Sequence, residues 1–266
     1  MTTHLNNATL NAPTPHPVVR TVNRNTRGWL TAFAVLTLVA TNQLFVLAEY
    51  TAQGFAWTIQ PPLTAAFLGA GYAAGFVLVV LALRTETWAH ARVVVVTVLA
   101  FTALTLVATL LHLDKFHFSA EGLIPRFAAW FWLAVYVFVP IGLTLAVISQ
   151  HRNRAADPAR QLPMPRWLAV VLSVQGLIML VVGVVLFVAP SAASSIWPWT
   201  LTPLTARMVA AWLVAFGLAM GLAMRERDLL RLEIPAIGYT VFGLLQLVAL
   251  VRFRDQVSWD SPAAAA

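Results

Sequence analysis

Residues 62–84, PLTAAFLGAGYAAGFVLVVLALR, form an apolar run that opens on proline and closes on arginine, and residues 203–225, PLTARMVAAWLVAFGLAMGLAMR, answer to it. Pro62-Leu63-Thr64-Ala65 returns as Pro203-Leu204-Thr205-Ala206 and Arg84 as Arg225, at one offset (203 − 62 and 225 − 84 are both 141). A run of this length rises about 1.5 Å per residue as a helix and crosses a hydrocarbon core about 30 Å thick. A match that holds across a whole span points to a duplicated multi-span membrane protein.

Composition agrees. The 266 residues are 60% hydrophobic and 10% charged, with a mean hydropathy of +0.79. A soluble domain carries about a quarter charged residues. The formal charge of +7 is not a nucleic-acid footprint, because the arginines sit between apolar runs, where cytoplasmic loops collect them. Cysteine is absent, which removes thiolate chemistry and Cys-ligated metals. Lys115 is the single lysine. That arginine bias, with abundant Ala and Val, hints at a GC-rich bacterial genome.

Seven spans are predicted, over 29–48, 63–83, 93–112, 126–149, 167–189, 204–224 and 235–252. The expected fold is an all-α integral membrane protein of seven transmembrane helices, two parallel three-helix repeats joined by a connector helix. Residues 1–28 read as a disordered cytoplasmic tail without a cleavable signal. Residues 29–112 are the first repeat, 113–150 an outer loop and the connector, and 151–166 a cytoplasmic linker. The second repeat is 167–253, with an extracytoplasmic tail over 254–266. Arginines at 20, 24, 27, 84, 92, 152, 154, 160, 166, 225, 227 and 231 fall on one side, which places the amino terminus inside a bacterial plasma membrane and the carboxyl terminus outside.

In the duplication Trp29 pairs with Trp167, and Trp57-Thr58-Ile59 with Trp199-Thr200-Leu201. A four-plus-four design would need an eighth span from about residue 262, so the chain reads either as a design that lost its last helix or as a truncated relative of an eight-span protein, with truncation favoured. Features shared by both copies are architectural: proline at a helix start leaves no amide unsatisfied, and Thr can bond first-turn amides. Trp57, Trp197 and Trp199 fit an interfacial belt, and Gly71-x3-Gly75 and Gly217-x3-Gly221 fit close helix packing.

Polar residues present in one copy only are the candidates for function. Asn42 and Glu49 lie seven apart, on one face of the first span. The segment His112-Leu-Asp114-Lys115-Phe-His117-Phe-Ser-Ala-Glu121 gathers two imidazoles, two carboxylates and an ammonium at an outer span end. It reads as a solvated interfacial loop, as a ligand or proton-relay site, or, on the weakest ground, as a divalent-metal site of His112, Asp114, His117 and Glu49. Arg207 stands in the first turns of an outward helix start and Arg126 begins the fourth span; each either holds an anion or snorkels to phosphates. Gln175 and Gln246 are isolated amides suited to bonds between helices. Trp130, Phe131, Trp132, Tyr136 and Phe138 make the fourth span aromatic, which suits lipid contact or a hydrophobic ligand equally.

Familiar chemistries drop out. No lysine lies in a late span to carry retinal, no histidines face one another for haem, and no P-loop, nucleophile elbow or His-Glu-x-x-His run occurs. No cofactor is assigned. The expected partners are the lipid bilayer, a small-molecule or lipid ligand, and a membrane protein or second copy. The leading expectation is a ligand-binding or carrier protein with an outward polar site at Asn42, Glu49, His112, Asp114, His117, Glu121, Arg126 and Arg207. The alternative is a non-catalytic subunit or scaffold, and the third is a membrane-embedded enzyme. Against a carrier, the spans lack Pro-broken midplane helices and paired midplane charges.

Overall fold

A computed structural model describes residues 19–194 and 197–260. Seven long helices carry the fold: α1 Arg24–Thr41, α2 Pro62–Arg84, α3 Trp88–Leu110, α4 Leu123–Arg152, α5 Arg166–Val188, α6 Pro203–Glu226 and α7 Leu229–Arg252. All seven are long and apolar enough to cross a membrane, α1 together with the π-helical turn Asn42–Val46 that continues it. Among the described residues there is no strand, only three isolated bridges. Most of the predicted amino-terminal tail and the last six residues lie outside the described residues.

The helix starts follow local chemistry. Asn23 caps α1 by accepting from the Thr26 amide, so α1 begins at Arg24, ahead of the predicted 29. Pro62 and Pro203 open α2 and α6, and Thr202 and Thr205 cap α6 reciprocally. Asp228 accepts from the Leu230 amide and starts α7 at Leu229, six residues before the predicted 235. Pro235 therefore lies inside α7, and Pro140 inside α4. Pro140 has no amide to give its helix, yet α4 runs on through it from Leu123 to Arg152, and α1 continues into the π-helical turn.

The centre is built from α2, α3 and α6. Helix α1 packs on α2 and α5 on α6, while α2 also packs on α7 and α3 on α6; α4 covers α3 and touches α1. Several helix approaches are closer than any side chain allows, Gly69 and Gly71 among them. A Cβ at Gly69 would meet the backbone of Leu44 and Phe45, and one at Gly71 would meet the Trp212 indole at 2.5 Å. Gly217 likewise packs against Leu180 of α5, whereas Gly221 faces open space. Gln246 donates to the Phe67 carbonyl at 3.0 Å, and Gln175 bonds the Tyr239 hydroxyl, so both amides join helices.

Loop bonds recur at a spacing of 141–142 residues. The Val22 amide donates to Glu86 O at 2.8 Å and the Met164 amide to Arg227 O at 3.2 Å. The Trp88 amide donates to Arg20 O and the Leu229 amide to Leu162 O, at 2.9 and 2.8 Å. At the opposite ends, His117 donates to Ala56 O and Ser258 to Pro198 O, at 2.9 and 2.7 Å, after 3-10 turns at Leu113–Lys115 and Arg254–Gln256. Arg24 and Arg166 share this spacing, at 142 residues, whereas Trp29 and Trp167 are 138 apart. The end of the bundle where α1 starts is called the arginine end below, and the other the far end.

Candidate functional site

At the far end the eight predicted residues fall into separate local arrangements. His112 and Arg207 meet: Arg207 Nη1 donates to His112 Nε2 at 2.6 Å, while its Nε donates to the Phe187 carbonyl in the last turn of α5 at 3.0 Å. Arg207 thus caps a neighbouring helix, where a cation complements the dipole. Burial, then the Arg207 guanidinium, hold the His112 ring below the usual histidine range, so Nε2 keeps the lone pair that Arg207 needs.

His117 is a staple between loops. Its Nδ1 donates to the Phe55 carbonyl at 3.0 Å, and its Nε2 shares a bond with Thr58 Oγ1 at 3.1 Å. Asp114 pairs with Lys115 at 2.8 Å on the open surface, and that ammonium's hydrogen bond holds the carboxyl below its usual range. Asn42 is exposed within the π-helical turn, and its carbonyl accepts from Leu47. Glu49, Glu121 and Arg126 are exposed, and none of the three forms an ion pair among the described residues. No three His, Asp or Glu side chains among the described residues gather to share a metal ion, so the set His112, Asp114, His117 and Glu49 is not brought together. Arg252 ends α7 by donating to the Phe45 and Val46 carbonyls at 2.7 and 3.2 Å, which closes the π-helical turn of α1.

Beneath this rim the bundle is filled by rings. Trp57 lies 4.9 Å from Trp132, Tyr72 lies 5.5 Å from Trp212, and Phe101 stacks on Trp212 at 3.8 Å. Beside this column a cleft of about 190 Å³ opens sideways between α1 and α4. Phe33, Thr37 and Gln43 of α1 line one wall, and Phe127, Phe131 and Trp132 of α4 the other. Its rim residues Val39, Ile124, Phe127 and Phe131 are exposed. Its floor is the Tyr72–Tyr136 pair, whose hydroxyls are 2.5 Å apart. The π-helical turn at Asn42–Val46 and the short helix Thr51–Gly54 close its far-end side, where Gln43 Nε2 donates to the Gly54 carbonyl at 3.0 Å.

Sequence reasoning located the aromatic wall but not its partner. Tyr72 and Tyr136 lie on different spans with no periodicity joining them. The available signal was two hydroxyls in the middle of otherwise apolar runs, which need a partner in lipid.

The arginine end holds a cluster that the sequence reading missed altogether. Arg92 bridges Asp157 at 2.9 Å and Glu226 at 2.5 Å, and Arg231 pairs with Glu226 at 2.8 Å and donates to the Pro158 carbonyl at 2.5 Å. Asp228 accepts from the Gln161, Leu162 and Leu230 amides. Burial raises its carboxyl, but the three amides and Arg231 outweigh that and hold it below the usual range. This network ties the 153–165 linker to α3, α6 and α7. No family model, curated protein or solved structure matches this chain.

Proposed function

We propose that this is a multi-pass bacterial inner-membrane protein that binds a lipidic ligand in the α1/α4 cleft. The observation that carries the reading is the cleft itself, an aromatic-walled cavity that faces the bilayer sideways and has a polar floor. A site for a lipid-phase molecule needs apolar walls, a few fixed polar groups and an entrance from the membrane. The polar rim of His112, Arg207 and His117 serves to hold the helix ends above the cleft. The arginine end faces the cytoplasm in this reading, with the amino terminus inside and the carboxyl terminus outside, supported by the bias of arginine to one side. Two parallel three-helix repeats are supported by the loop bonds that recur at 141–142 residues, and by the crossed packing of α2 on α7 and α6 on α3. The bare faces of α5 and α7, where no described residue takes the place that α4 takes on α3, are where the alternative reading of a docking subunit would act.

The test is photolabelling of the protein in lipid nanodiscs with an apolar aryl diazirine. Label is expected on α1 and α4 peptides that line the cleft, and Ala128→Trp, which fills it, is expected to remove most of that label. Label spread evenly over all lipid-facing helices, and unchanged in Ala128→Trp, would defeat the reading.

A further inference from the structure

We infer that the cleft takes a neutral, carbonyl-bearing molecule that dwells in the hydrocarbon core, a quinone-type ring on an apolar tail, and that the Tyr72/Tyr136 pair donates a hydrogen bond to its carbonyl oxygen. The inference rests on the cleft reading above and adds the chemistry of the occupant.

Tyr72 and Tyr136 are 4% and 3% exposed, and each lines the cleft. Each hydroxyl carries one proton. One proton makes the bond between them, at 2.5 Å, and whichever ring donates it, the other ring's proton has no acceptor among the described residues. A buried donor without an acceptor is unfavourable and rare. Water is a poor solution, because an ordered water needs two to four polar partners. Of the other polar side chains of the cleft, Thr37 Oγ1 donates to the Phe33 and Ala34 carbonyls and Gln43 Nε2 to the Gly54 carbonyl, and neither of these bonds engages a tyrosine hydroxyl. An occupant with one acceptor oxygen and an otherwise apolar body satisfies the site.

Depth then separates the sources of a carbonyl. Tyr72 is ten residues beyond Pro62 at the far-end start of α2 (72 − 62 = 10). At 1.5 Å per residue that is about 15 Å, half of a core about 30 Å thick, so the free proton lies near the bilayer midplane. Ester carbonyls of bilayer phospholipids sit by the head groups and do not reach this depth, whereas a neutral ring carried on a tail does. The walls select a flat body as well: Trp132 and Tyr136 are 4.4 Å apart, and Phe127 and Phe131 stack at 5.8 Å, offering π faces to a planar ring.

The experiment is competition against the aryl diazirine in nanodiscs, with three competitors: a decyl-substituted benzoquinone, the same decyl chain on a carbonyl-free benzene ring, and a short-chain phosphatidylcholine. The quinone is expected to displace the label from the cleft at roughly one-tenth the concentration needed by the carbonyl-free compound, the effect of one well-placed hydrogen bond in an apolar site. The phosphatidylcholine is expected not to compete. In Tyr72→Phe/Tyr136→Phe, which keeps both ring volumes, the advantage of the quinone is expected to vanish while diazirine labelling persists. Equal competition by quinone and benzene compounds on the unmodified protein overturns the inference without any variant having to fold, as does displacement by the phosphatidylcholine. A quinone advantage that survives in the double variant also overturns it. Absence of cleft labelling in the unmodified protein instead strikes the cleft reading, and with it this one.

Discussion

At the arginine end Glu226, Asp228 and Arg231 are 3%, 2% and 5% exposed, whereas the Asp114 and Lys115 side chains at the far end are 67% and 63% exposed. Both ends carry acids and bases, but they treat them oppositely. Charges removed from water are tolerated only in a closed set, and the arginine end provides one from three stretches that are distant in sequence, at Arg92, Asp157 and Glu226 to Arg231. The far end leaves its charges in water and holds its helix ends with Arg207, Arg252 and a neutral His112 acting on carbonyls and lone pairs. The difference assigns the ends different parts. The arginine end sets the register of α3, α6 and α7, and the far end, next to the cleft, can tolerate change.

The largest expected effect comes from breaking the closed set. Arg231→Met removes the cation paired with Asp228 and one of the two paired with Glu226, and leaves Glu226 only Arg92 among the described residues. Such a loss destabilises by about 3–5 kcal/mol. Thermal unfolding in detergent should show a large fall in midpoint for this variant, and a much smaller one for Arg207→Met. Equal losses would mean that the two ends do not differ as their burial implies.

The contrast also explains what could be read in advance. Apolar run lengths mark the seven helices to within six residues at each end, because lipid demands that length and forbids unpaired backbone. Pro62 and Pro203 were legible as helix starts, since proline at that position has a local reason. The arginine-end network was not legible. Counting arginines to orient the chain treats them as equivalent solvated charges, and Asp157, Glu226 and Asp228 look like ordinary loop acids until folding brings α3, the linker and α7 together. The conspicuous polar segment at 112–121 misled for the converse reason: charge density along the chain says nothing of convergence, and Asp114, His117 and Glu121 each turn to a different neighbourhood. The cleft was half legible, as an aromatic fourth span, because its floor pairs residues 72 and 136.

Acidification should separate the ends. His112 has a folded value below the ordinary 6.5, so the neutral ring's contribution is complete above about 6.5 and is lost as pH falls from there through the folded value. Asp228 is also depressed, so its contribution is complete above about 3.8 and is lost only as pH falls through its own folded value. Between those two limits the far end should weaken first. His112→Gln, whose amide oxygen accepts from Arg207 without titrating, is expected to flatten the decline in unfolding midpoint just below pH 6.5 and to leave the steeper loss at lower pH. An unchanged profile would remove His112 from the account.

The smallest expected effect is Lys115→Ala. The Asp114–Lys115 pair has a good distance, 2.8 Å, yet both groups keep most of their water and sit next to each other in the chain, so folding gains little by joining them. Stability and cleft labelling are both expected to match the unmodified protein. A measurable fall in either would show that this rim reaches further into the fold than its exposure allows, and the reading of a far end held by helix caps alone would have to give way to one in which the 112–121 segment takes part in the site.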